Sequence, residues 1–165
     1  MKKETYQKIF DAVNMQPYGI KAMQATGKAL TFITAILYFV VIGSQAYAGK
    51  WRQMAALILV PAVSFVVVSV FRSVYNAKRP YEIYDFKPLI PKDTKGKSFP
   101  SRHVFSIFVI GSSVCWFYPL PGGLLCLMGC ILAVIRVAAG IHFPKDVIAG
   151  AVTGIVCGYL IGIVL

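Results

Sequence analysis

Uncharged apolar runs, each about as long as a bilayer is thick, recur along this chain and leave it little choice of environment. A helix needs about 20 largely apolar residues to cross a hydrocarbon core about 30 Å thick. Such runs fall at roughly 30–47, 55–75, 104–117, 124–139 and 147–165. The third and fourth are short and lean on interfacial residues at their ends. The chain is 58% hydrophobic and only 14% charged, with a mean hydropathy of +0.70. A soluble domain of 165 residues cannot hide that much apolar surface. The expected fold class is therefore all-α. It is a polytopic membrane helix bundle with about five transmembrane helices, forming one domain over 1–165 and multi-pass in the cell membrane.

The charge is as uneven as the hydropathy. Seventeen Lys and Arg against six Asp and Glu leave a net +11. On a soluble chain this balance would suggest nucleic acid; beside membrane spans it favours membrane lipid head groups and phosphate-bearing substrates, with no nucleic-acid partner. Residues 1–28 are too polar to span. Tyr6, Ile9, Phe10 and Val13 share one helical face while Lys2, Lys3, Lys8 and Asp11 fall largely elsewhere, the pattern of an amphipathic helix lying in the interface. Gln16-Pro17-Tyr18-Gly19 is expected to end it. The segment has neither the apolar core nor the small-residue cleavage site of a signal peptide. Cys115, Cys126, Cys130 and Cys157 all lie in apolar spans without zinc-site surroundings and read as small hydrophobes.

Two further stretches stand out. Residues 76–100 form the one long loop, with Pro80, Pro88, Pro91 and Pro100 and the cations Lys87, Lys92, Lys95 and Lys97; the length and charge suit a mouth over an anion site or a solvated basic linker. Residues 118–123 read as a tight apolar turn. The last span carries Gly150, Gly154, Gly158 and Gly162 at every fourth position. That ridge lets another helix backbone approach closely, either inside the bundle or across a homodimer.

The chemistry-bearing residues gather at span ends. Arg136, His142 and Asp146 fall within RVAAGIHFPKD, between two apolar runs. Pro144 suits the first helical turn, which puts Asp146 within reach of His142. A carboxylate on one ring nitrogen fixes the tautomer and leaves the other as nucleophile or base. Arg72 and Arg79 stand seven apart, about two helical turns, so both are expected on one helix face around an anion. Ser101 is a natural N-cap, opening a helix whose first residues are Arg102 and His103. Alternating crossings bring all these ends to one membrane surface. Arginines around two histidines, one of them buttressed by a carboxylate, suit phosphoryl transfer. No carboxylate cluster accompanies them to hold Mg²⁺, so no metal or other cofactor is expected.

These residues resemble the type 2 phosphatidic acid phosphatases, whose signature is Lys-x6-Arg-Pro, Pro-Ser-Gly-His and Ser-Arg-x5-His-x3-Asp. Here the parts read Arg72-x6-Arg79-Pro80, Pro100-Ser101-Arg102-His103 and Arg136-x5-His142-x3-Asp146, and the resemblance covers roughly 55–165. It implies that His142 forms a phosphohistidine and Asp146 orients it. His103 would act as general acid and later activate water, while Arg72, Arg79, Ser101 and Arg136 hold the phosphate. It also implies metal-independent hydrolysis of a lipid phosphate by a small membrane-embedded enzyme. Three positions depart from the pattern: Arg72 replaces lysine, Ile135 replaces serine and Arg102 replaces glycine. Arg102, as an additional phosphate-binding residue, hints at a diphosphate. A polyprenyl diphosphate, undecaprenyl for example, is the favoured substrate; phosphatidic acid or phosphatidylglycerol phosphate is the alternative. A non-catalytic lipid-binding or transport protein is the remote one. The two guides to orientation disagree. All the basic residues but Lys50 and Arg52 lie on the catalytic side, which the positive-inside rule assigns to the cytoplasm, whereas the resemblance favours an outward-facing site, and outward is the expectation here.

Overall fold

The computed structural model describes all 165 residues and contains helices and no strand. A short α1 (Lys3–Asn14) precedes the long α2 (Gly19–Tyr47) and α3 (Trp51–Tyr75). A single-turn α4 (Pro80–Tyr84) interrupts the long loop. Then come α5 (Arg102–Cys115), α6 (Pro119–Ala138), α7 (Pro144–Tyr159) and a last turn, α8 (Ile161–Val164). By length and composition, α2, α3, α6 and the α7–α8 unit can cross a membrane, and α5 is a shorter apolar helix. The five expected spans are thus all helices.

Several boundaries differ from expectation for local reasons. α2 begins at Gly19, so Lys21 and Lys28 lie on the same helix as the first apolar run. α6 begins at Pro119, and the expected turn at 118–123 is mostly its first turn. Proline needs no N–H acceptor there, so Pro119 and Pro121 start a helix where they looked like a break. Pro61 sits inside α3, buried against its neighbours.

α5 is the centre of the bundle and is buried along most of its length. Its packing partners α6 and α7 present glycine where it approaches. A Cβ on Gly150 would lie 2.7 Å from the Ser101 carbonyl oxygen, and one on Gly154 2.7 Å from Phe108 Cβ. On the other side, a Cβ on Gly129 would strike the Phe108 ring at 2.7 Å. The glycine ridge of α7 is therefore filled by α5. Of its two expected uses, packing inside the bundle is the one present; a homodimer through Gly150, Gly154, Gly158 and Gly162 would need that face uncovered. The outward faces of α2, α3, α6 and α7 expose Phe32, Phe39, Val63, Val67, Leu127 and Val152 among others, an apolar belt far beyond what water tolerates.

Candidate active site

Backbone geometry at the ends of α3, α5, α6 and α7 sets the site. α6 stops at Ala138 and the chain turns through Gly140, whose φ of +73° only glycine adopts cheaply. The Ile141 and His142 N–H groups then both donate to the Arg136 carbonyl, at 3.2 and 3.3 Å. Pro144 opens α7, and the Asp146 side chain reaches back to accept the Phe143 N–H at 2.9 Å. The same oxygen, Oδ2, lies 3.5 Å from His142 Nδ1. The expected carboxylate–imidazole pair is present, though long.

Ser98 fills the gap. Its hydroxyl donates to Asp146 Oδ2 at 2.5 Å and lies 3.4 Å from His142 Nδ1. Ser98, His142 and Asp146 are all buried. Burial pushes the His142 imidazole down to about 4, against the pull of Asp146, with Arg79 and Arg72 adding to the push. The ring is therefore neutral near pH 7 and keeps a lone pair.

Arg72 and Arg79 do not share a helix face. α3 ends at Tyr75 with Asn76 left-handed, and Arg79 caps α4. Both guanidinium groups instead turn onto the long loop. Arg72 donates to the Pro100 and Lys97 carbonyls; Arg79 donates to Gly96 O at 2.9 Å and to Ile141 O at 3.3 Å. Glu82 ties the loop down by accepting from the Arg79 and Gly96 N–H groups, each at 2.8 Å. Residues 76–100 are a folded wall whose carbonyls hold both arginines.

A pocket of ≈ 160 Å³ lies at this junction, lined by Arg72, Arg79, Arg102, His103, Arg136 and His142, with Ser69, Ser73, Lys92, Thr94 and Lys97. Burial among Arg79, Arg136, Arg102 and Arg72 lowers the Lys92 ammonium from its ordinary value. Arg136 Nε and Ser69 Oγ are buried without a partner. This is a strongly cationic hollow with unmet donors, shaped for an oxyanion. No His, Cys, Asp or Glu side chains gather in threes as a metal site would require.

Two expected site residues stand behind the pocket. Asp146 touches it only through His142. Ser101 caps α5 by position but makes no side-chain cap bond; its N–H donates to the Asp146 carbonyl at 2.8 Å, and its hydroxyl is buried without a partner. Arg102 lines the pocket while its guanidinium lies over the Phe65 ring, 5.4 Å from the centroid. Beyond His103 and Arg136 a second, larger cleft of ≈ 970 Å³ runs between α2, the loop and α6, lined by Gly27, Thr31, Phe32, Ala35, Ile90 and Ile135 among others. Ser98 and Thr94 were not singled out from sequence; Ser98 stands two residues before Pro100-Ser101-Arg102-His103, and that proximity was the one available signal.

Comparisons with known proteins bear on the family and the fold. A model of the PAP2 superfamily matches residues 53–164. "Bacitracin transport permease protein BcrC" of Bacillus licheniformis is 25% identical over 125 residues, 73% of this chain and 62% of that protein. "Putative undecaprenyl-diphosphatase YbjG" of Escherichia coli (strain K12) is 35% identical over 60 residues, 36% of this chain and 30% of that protein. The chain thus spans less than two thirds of either relative. Among solved structures, Aquifex aeolicus LpxE superposes with a TM-score of 0.71 at 24% identity, covering 96% of this chain and 92% of that one. A transmembrane PAP2 type phosphatidylglycerolphosphate phosphatase from Bacillus subtilis gives 0.73 at 20% identity, covering 97% and 84%. At these identities the superpositions speak to fold.

Proposed function

The chain belongs to the PAP2 superfamily, and from that premise we propose that it is an integral-membrane phosphatase acting on a lipid phosphate, with 1–165 serving as one catalytic domain. The observation that carries the reading is the single pocket shared by both histidines and every arginine but Arg52. His142 Nδ1 faces Ser98 and Asp146, so Nε2 attacks phosphorus. The Nε2–P bond forms as the bond from phosphorus to the lipid-side oxygen breaks, and His103 protonates that oxygen. Water, giving its proton to His103, then attacks the phosphohistidine, the N–P bond breaks, and phosphate leaves. Arg72, Arg79 and Arg136 take up charge on the equatorial oxygens in both steps. Ser69 Oγ and Arg136 Nε in the pocket wall, and the Ser101 hydroxyl behind it, are the donors left without a partner here. No step calls on a metal ion.

The favoured substrate is a polyprenyl diphosphate. Arg102, Lys92 and Lys97 line the pocket beyond the arginines that one phosphate occupies. The apolar cleft meets the pocket at His103 and Arg136, where a lipid tail joins its head group. The resemblance to the relative named "Putative undecaprenyl-diphosphatase YbjG" points the same way. One observation favours a lipid monophosphate such as phosphatidic acid or phosphatidylglycerol phosphate: Arg102 already rests on Phe65 and lines the pocket without lining the cleft.

The test is phosphate release by the purified chain from polyprenyl diphosphate, phosphatidylglycerol phosphate and phosphatidic acid. Release from at least one, abolished in His142→Ala, supports the reading. A well-folded wild-type chain that releases phosphate from none of them would leave a lipid-binding or transport protein on the same scaffold, and the phosphatase reading would fall.

A further inference from the structure

We propose that Tyr6, on α1, is a positioning residue for His142. The proposal rests on the phosphatase reading above, yet it comes from a segment outside the matched residues 53–164.

The backbone around His142 is held at every polar group. Arg79 donates to the Ile141 carbonyl at 3.3 Å. The His142 N–H donates to the Arg136 carbonyl at 3.3 Å, and the Phe143 N–H to Asp146 at 2.9 Å. The remaining group, the His142 carbonyl, accepts the Tyr6 hydroxyl at 3.1 Å. Three of these holds come from residues of the spaced motifs, and the fourth crosses 136 positions of sequence. The peptide unit joining His142 to Phe143 is thus gripped at both ends, by Tyr6 on its C=O and by Asp146 on its N–H. Displacing that unit carries the His142 Cα with it, and a small shift moves the ring nitrogen off the line of attack.

Tyr6 is itself held. Its side chain is fully buried, in an aromatic cluster with Phe86 at 5.3 Å, Phe10 at 6.3 Å and Phe143 at 6.4 Å between ring centroids. Phe10 and Phe86 close over Gly140, where a Cβ would strike either ring at 2.7 Å. The turn that carries His142 therefore lies clamped between α1 and the loop. Burial, with Asp146 and Tyr84 adding to it, raises the phenol's pKa, so it donates throughout the neutral range. A helix whose only task was to float in the interface would turn its apolar face to lipid; this one turns Tyr6 inward onto the site.

The experiment compares full-length Tyr6→Phe with wild type in two readouts. Phenylalanine keeps the ring and its packing and removes only the donor. The first readout is steady-state turnover on the best lipid phosphate. The expected result is a fall in kcat of about 3- to 10-fold, the scale of one net hydrogen bond, with KM within twofold. The second is hydrogen–deuterium exchange of residues 139–146, expected to quicken while exchange in the centre of α5 does not change. Unchanged kcat, a loss confined to KM, or unchanged exchange at 139–146 would each overturn the proposal. Were the wild-type chain inert toward every lipid phosphate, the functional reading would fail separately, and the exchange result would still decide whether Tyr6 holds His142 in place.

Discussion

At the scale of single side chains, Asp146 does more than its place beside His142 suggests. One of its oxygens gathers Ser98, the Phe143 N–H and His142 Nδ1, so it orders the turn as well as the imidazole. Asp146→Asn should therefore cost turnover on the order of 10²–10⁴-fold, read as kcat in purified protein. Ser98→Ala, which removes one of the three donors, should cost about 2- to 10-fold; an unchanged kcat would make Ser98 a packing residue only. Arg102→Gly separates the substrates. Selective loss on a polyprenyl diphosphate, with a lipid monophosphate spared, is the expected outcome, and equal change on both would show that Arg102 only rests on Phe65. The residues of the spaced motifs were legible because each stands near a span end, where charge is expensive and so conspicuous. Ser98 and Tyr6 were not. A serine and a tyrosine are ordinary residues in ordinary places, and the partners that give them meaning, Asp146 and His142, lie 48 and 136 positions away.

At the scale of elements, α5 decides how well the site is made, because it carries Arg102 and His103 and is packed against glycine on two sides. Gly154→Val should push it off α7 through contacts with Phe108 and the Phe105 carbonyl, destabilising the bundle by about 1–3 kcal/mol. The measure is the thermal midpoint in detergent, with activity falling alongside. Gly43→Ala, where nothing lies within 4 Å of the added carbon, should leave the midpoint unchanged or slightly raised. The five apolar helices were readable from hydropathy alone, since length and apolarity are local properties. Their ends were less so. Pro119 and Pro121 looked like a turn and begin a helix. Arg72 and Arg79, two turns apart on paper, meet through loop carbonyls because Asn76 breaks the helix between them. The glycine ridge announced a close helix contact, but only the packed bundle tells which helix fills it.

At the scale of the whole molecule, the protein is a membrane bundle with a cationic hollow meeting a larger cleft of ≈ 970 Å³ at His103 and Arg136. Orientation is a proposal of its own: the site faces outward, and the basic residues of the catalytic side serve phosphate rather than topology. A Lys95→Cys chain in intact cells should then react with a membrane-impermeant thiol reagent, Lys95 being exposed on the loop; labelling only after the cells are opened would place the site inside. Activity should survive EDTA, and orthovanadate, which mimics five-coordinate phosphorus, should inhibit. An enzyme silenced by EDTA and restored by Mg²⁺ would contradict the arginine-based account of charge neutralisation. The central claim is that His142 takes the phosphoryl group. Its most direct test is rapid-quench labelling with a lipid whose terminal phosphate carries ³²P. Wild type should yield a phosphoprotein that survives alkali and is lost in acid, as a phosphohistidine is, and His142→Ala should yield none. Labelled protein persisting in His142→Ala, or hydrolysis by that variant at the wild-type rate, would contradict the account.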